Sequence, residues 1–206
     1  MTLSLLDAAV SAILQVLLLG GIPFFGYAIY QRVRHKRTFH ESARRAGLQL
    51  GQPRYLLYSL ACALFIVLFI ALWSPPLEPL TREGSAQRKF VGLGLGVPAI
   101  TLAILYGFFQ TGFAEELLFR GLIAGSLSRR LPFLWANILQ AVIFLLPHCA
   151  ILLIAPEVWG ILPVVFLGAL LFGWVRIKSG SILGPWLVHA TANVATCLSV
   201  AIRTVD

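Results

Sequence analysis

Six long apolar runs, separated by short polar breaks, constrain this chain more than any other feature: residues 4–30, 55–73, 90–128, 133–154, 160–177 and 182–202. About 20 mostly apolar residues are what a helix needs to cross a bilayer. Apart from closed barrels, only helices satisfy every backbone group in lipid. The sequence therefore predicts an all-α, polytopic membrane protein with six to seven, at most eight, transmembrane helices. It reads as one integral membrane domain over 1–206, with no room for a soluble domain. Only 12% of residues are charged and mean hydropathy is +0.88, whereas a soluble domain carries about 25% charged residues.

The net charge of +8 does not point to nucleic acid. Arg32, Arg34, Lys36, Arg37, Arg44, Arg45 and Arg54 crowd into residues 31–54 against one acid, Glu41. This is the pattern of a cytoplasmic loop, and its side chains can also meet anionic lipid headgroups. Cys62, Cys149 and Cys197 lie in apolar segments without a CxxC pair and read as small buried hydrophobes. The N-terminal run lacks a basic region and a cleavage site, so it is expected to be a retained span. Trp73 and Trp159 are expected near interfaces. Gly168, Ala169 and Gly173 are expected to allow close helix contact.

Residues 90–128 are too long for one simple span. Gly92, Gly94, Gly96 and Pro98 loosen its first part, and Gly112 could separate that part from the helix that follows. Two crossings give seven spans and put Arg129–Arg130 and Arg176–Lys178 outside. One crossing puts both basic pairs on the side of the 31–54 loop. Charge favours one crossing and hydropathy slightly favours two.

Within these runs sit a few ionisable groups: Glu115, Glu116 and Arg120 on one segment, His148 on the next but after Pro147, and His189 with Asn193 on the last. A charge at the bilayer centre costs about 2.5–3.5 kcal/mol even on the mild insertion scale. Glu116 and Arg120 are four apart and can pair, while Glu115 is turned away by about 100°. Phe144 lies one turn from His148, and His189 one turn from Asn193. Unpaired polar groups in lipid are costly, so the six are expected to share one polar cavity.

A carboxylate with two imidazoles can activate water, and an asparagine can donate to an oxyanion. This set suits amide hydrolysis. No cofactor is expected, although Glu115, His148 and His189 could hold zinc, since two histidines and a carboxylate form a known catalytic set. Two other classes fit less well. One is a non-enzymatic immunity or scaffold protein, and the other a small proton or ion carrier, which would often show internal repeats.

The motifs Glu-Glu-x-x-x-Arg at 115–120, Phe-x-x-x-His at 144–148 and His-x-x-x-Asn at 189–193 appear in this order. They resemble those of the CPBP family, the CAAX-protease and bacteriocin-processing or ABI membrane proteases related to the Rce1 prenyl-protein endopeptidase. The run Gly173-Trp174-Val175-Arg176 and the turn Lys178-Ser179-Gly180-Ser181 also resemble that family, and the likeness covers about 90–200. It implies an intramembrane endopeptidase, often called a metalloprotease. Glu115 would be the water-activating base, with Glu116 and Arg120 beside it. His148 and His189 would assist proton transfer, and Asn193 would help form the oxyanion site. The resemblance further implies a membrane protein, or a lipidated or hydrophobic peptide, as substrate. The short chain suggests a bacterial member, in the inner membrane.

Overall fold

The structure, a computed structural model, describes residues 5–73, 76–153 and 156–205. Eight helices account for most of the chain: α1 Leu5–His35, α2 Phe39–Arg45, α3 Pro53–Trp73, α4 Glu78–Thr81, α5 Val97–Leu127, α6 Phe133–Cys149, α7 Ile161–Ser179 and α8 Leu183–Arg203. Five of them, α1, α3, α5, α7 and α8, are long and apolar enough to cross a membrane. At 17 residues α6 is at the short end of that range. The chain continues as a 3₁₀ turn over Ala150–Leu153. Residues 4, 74, 75, 154 and 155, the edges of several expected spans and loops, lie outside the described residues.

Local chemistry sets the helix ends. Pro53 opens α3 and Pro98 sits in the first turn of α5, where a missing N–H costs nothing. Thr38 and Glu41 cap α2 reciprocally: Glu41 Oε2 accepts from the Thr38 amide at 2.7 Å, and Thr38 Oγ1 from the Glu41 amide at 3.2 Å. Gly180 ends α7 in the left-handed region at φ 76°. This is the tight turn expected at 178–181.

The span count is decided by α5. It is one continuous helix of 31 residues, so Gly112 does not break it and residues 97–127 cross once. The polar breaks confirm the arrangement by touching one another. Arg176, near the end of α7, donates to the Arg45 carbonyl at 2.9 Å, and Arg129 reaches the same carbonyl at 3.3 Å. The Ile182 amide donates to Gly47 O at 3.0 Å and the Gln52 amide to Ser179 O at 3.1 Å. Gly47 has φ +82°, and the Arg176 guanidinium fills the space a Cβ would need. The basic loops therefore lie together at one end of the bundle, and the described residues hold six apolar helices of ten residues or more.

Lipid replaces water as the outer solvent, so small and polar residues face inward. On α3 the buried residues are Tyr55, Ser59 and Ala63, four apart, while Leu57, Leu64, Phe65 and Leu72 face out. Trp73 and Trp159 are exposed at the end opposite the basic loops. Cys197 is fully buried, and Cys62 and Cys149 are half-buried.

The centre of the bundle is α5 against α8. α8 also packs on α3, α6 on α7, and α1 on α5. Of the small residues on α7, Ala169 is buried and Gly173 is pressed against the Asn137 and Gln140 side chains, whereas Gly168 has open space. Gly107 sets the α5–α8 distance. A Cβ there would lie 2.7 Å from Val194 Cγ2 and 2.9 Å from Ala190 O. Gly107→Ala is expected to lower stability by about 1–3 kcal/mol through overpacking. A Cβ at Gly26 meets nothing within 4 Å, so Gly26→Ala should unfold with the wild type. Thermal unfolding of the two purified variants checks this, and equal midpoints would remove the argument.

Candidate active site

The candidate residues are carried by an unusual stretch of α5. Leu105–Phe113 and Glu116–Ala124 are π-helical, with Glu115 at their junction. Such wide turns are frequent at functional sites. Thr111 shows the local spacing, since its hydroxyl donates to the Tyr106 carbonyl five residues back, at 3.0 Å. A Cβ at Gly112 would strike the Gly107 carbonyl of its own wide turn first, and would also press on α8, 3.2 Å from Trp186 Cδ1 and 3.3 Å from Ala190 Cβ.

Glu116 and Arg120 are fully buried, with Arg120 Nη1 3.1 Å from Glu116 Oε1. The pair is thus not a surface ion pair at a helix start. Its alignment is not that of a hydrogen bond. Glu116 Oε2 and the guanidinium nitrogens have no hydrogen-bond partner among the described residues. The guanidinium is instead held against aromatic faces, 4.0 Å from the Phe144 ring centroid and 5.3 Å from that of Phe172.

Glu116 has a second contact, across to α8: His189 Nδ1 lies 2.9 Å from Glu116 Oε1. A carboxylate only accepts, so Nδ1 carries a proton, and in a neutral ring Nε2 is then the acceptor. That Nε2 faces Glu115, 4.0 Å from Oε2. Glu115 and His189 keep 16% and 14% of their side-chain surface accessible, whereas Glu116 keeps none. The two adjacent carboxylates are thereby separated into a sealed one that orients a histidine and an open one beside that histidine.

His148, on α6, places Nδ1 2.8 Å from the Phe144 carbonyl. A carbonyl also only accepts, so His148 Nε2 is the free acceptor nitrogen. Phe144 joins the two imidazoles: its centroid is 4.6 Å from that of His148 and 6.4 Å from that of His189. Asn193 contacts α5 at a different point, donating from Nδ2 to Thr111 Oγ1 at 2.7 Å. One Nδ2 proton remains free.

Glu115, Glu116, Arg120 and His189 thus form one contact group. His148 joins it through Phe144, and Asn193 stands one helical turn from His189, on Thr111. Thr111, Phe172 and Trp186, whose indole donates to Phe108 O at 2.7 Å, also build the site. Sequence reasoning missed them because a threonine and two aromatics in apolar helices carry no signal of their own. From the sequence Arg176 reads as part of a run and of a basic pair, not as a site residue. It is buried and donates from Nε to the Arg120 carbonyl at 3.1 Å, tying α7 to the motif helix.

Two ligands about 2.0–2.2 Å from a tetrahedral zinc stand about 3.4 Å apart, closer than the 4.0 Å between His189 Nε2 and Glu115 Oε2. Among the described residues no three His, Cys, Asp or Glu side chains gather as a metal site.

No curated protein and no solved structure matches the chain. A family model does match: Rce1-like, described as type II CAAX prenyl endopeptidase Rce1-like, over residues 97–195. That family supports a CAAX-type intramembrane endopeptidase in general terms and, with the apolar helices, an integral membrane protein. Across residues 97–195, the segment that holds all six candidate residues, the chain is similar to the Rce1-like family.

Proposed function

We propose that the protein is a glutamate-dependent intramembrane endopeptidase. It hydrolyses a peptide bond near the C-terminus of a membrane protein or a lipidated or hydrophobic peptide, of the prenyl-protein or bacteriocin type, at a bacterial inner membrane. The observation that carries this reading is the contrast between Glu115, accessible beside His189 Nε2, and the sealed Glu116 that orients the same histidine.

The chemistry follows from the acceptors. Glu115 Oε2 and His189 Nε2, 4.0 Å apart, can each accept one proton of a single water about 2.8 Å from both. This turns an oxygen lone pair toward a scissile carbonyl. On attack, the water proton passes to Glu115 and the carbonyl oxygen becomes an oxyanion. The free Nδ2 proton of Asn193 is the donor offered to it. Collapse breaks the C–N bond, and the leaving amine takes the proton back from Glu115 directly or through His148. Neutral His148 has no proton on Nε2, so it serves as a relay rather than a standing donor. Arg120 keeps Glu116 ionised, and Glu116 keeps His189 in the productive tautomer.

Reconstituted protein incubated with hydrophobic C-terminal peptides, prenylated and unmodified, and read by mass spectrometry tests the reaction. Cleavage is expected to persist with strong chelators, with no stoichiometric metal in the purified protein. Chelator-abolished cleavage restored by zinc would refute the metal-free chemistry. Absence of cleavage across the panel would count against this substrate class.

A further inference from the structure

A second polar site lies away from the chemistry. A cavity of about 300 Å³ opens where α1, the loop after it and the α5–α6 turn meet. Its walls include Arg37, Arg45, Arg129 and Arg130, with His35 and Tyr30, and contain no Asp or Glu. Glu41, the only acid between residues 31 and 54, is occupied by Thr38, whose amide and hydroxyl lie 2.7 and 2.9 Å from Oε2. Arg45 Nε is buried without a hydrogen-bond partner, and the guanidinium of Arg130 has none among the described residues. Four guanidiniums around one cavity repel one another unless an anion joins them.

Arginine's planar fork matches phosphate oxygens. The position favours a lipid over a soluble anion. The cavity lies at the basic end of the bundle, which the positive-inside rule assigns to the leaflet holding anionic lipids. Tyr30, an exposed ring on α1, lines the cavity, and an aromatic ring with a polar tip suits the headgroup level of a membrane. A substrate carboxylate is disfavoured by distance. Arg129 follows Glu116 by 13 residues, about 20 Å along the helix. A peptide cut at Glu115 would need about six extended residues to reach it. We propose that this cavity binds the phosphate headgroup of an anionic phospholipid.

The test is lipid titration of the detergent-purified protein by native mass spectrometry. Dioleoyl-phosphatidylglycerol should bind saturably and dioleoyl-phosphatidylcholine should not. Arg37→Gln with Arg130→Gln should weaken phosphatidylglycerol about 25-fold, about fivefold for each arginine at about 1 kcal/mol. Arg32→Gln with Arg34→Gln removes equal charge from exposed positions outside the cavity. It should change binding less than about twofold, since such charges are screened. Equal losses in the two double variants would overturn the proposal, because a diffuse basic surface would then explain the binding. Displacement of the lipid by inorganic phosphate would assign the site to a soluble phosphate compound. Displacement by a hydrophobic peptide with a free C-terminal carboxylate, but not by its amide, would assign it to substrate. Either result overturns the lipid assignment. Should the Arg37/Arg130 variant fail to fold, Arg130→Gln alone is read against the same control, with a fivefold loss expected.

Discussion

Glu115→Gln should lower peptide cleavage by about 10²–10⁴-fold, the usual contribution of a positioned general base, and leave the fold intact. The amide keeps the size and shape of the carboxylate but cannot take a proton from water. Glu115 makes no ion pair shorter than the 4.0 Å approach to His189 and is partly accessible, so its neutralisation leaves no buried charge unpaired. The thermal unfolding midpoint should therefore stay close to the wild type while the rate of product formation collapses. Wild-type cleavage rates in the purified variant would refute Glu115 as the base. A collapse in rate accompanied by unfolding would show a structural role instead.

Arg120→Met should have the largest effect on stability. It removes the cation from a pair in which both side chains are fully buried, and leaves Glu116 charged and enclosed. Breaking one side of a buried pair typically costs about 3–5 kcal/mol. The lost contact with Phe144 at 4.0 Å adds to this. Adding Glu116→Gln to Arg120→Met removes the orphaned charge, so the double variant should recover about 1–3 kcal/mol over the single. Activity should not recover with it, because His189 then lacks the carboxylate that accepts from Nδ1 at 2.9 Å. Denaturant unfolding and cleavage rates, measured on both variants, separate the two effects. Strictly additive losses in stability would show that the pair is not coupled.

What the sequence determined by itself was everything governed by spacing along one helix. Six apolar runs became six apolar helices, because lipid leaves the backbone no alternative. Glu116 and Arg120 meet at 3.1 Å and the rings of Phe144 and His148 at 4.6 Å because residues four apart share a helix face. Contacts between helices were not legible in this way. That Nδ1 of His189 would bond to Glu116, 73 positions away, and turn Nε2 toward Glu115 depends on how α8 crosses α5. So does the pairing of Asn193 with Thr111. The π-helical turns beside Glu115 have no signature in residue type, since Gly112 suggested a break and proved to be a close approach to Trp186. The single crossing of residues 97–127 was open in the sequence because charge and hydropathy disagreed. It was settled when Arg129 and Arg176 both reached the Arg45 carbonyl. Helix periodicity is a local property of the chain, but which faces meet is decided only when every helix has packed and each buried polar group has found its partner.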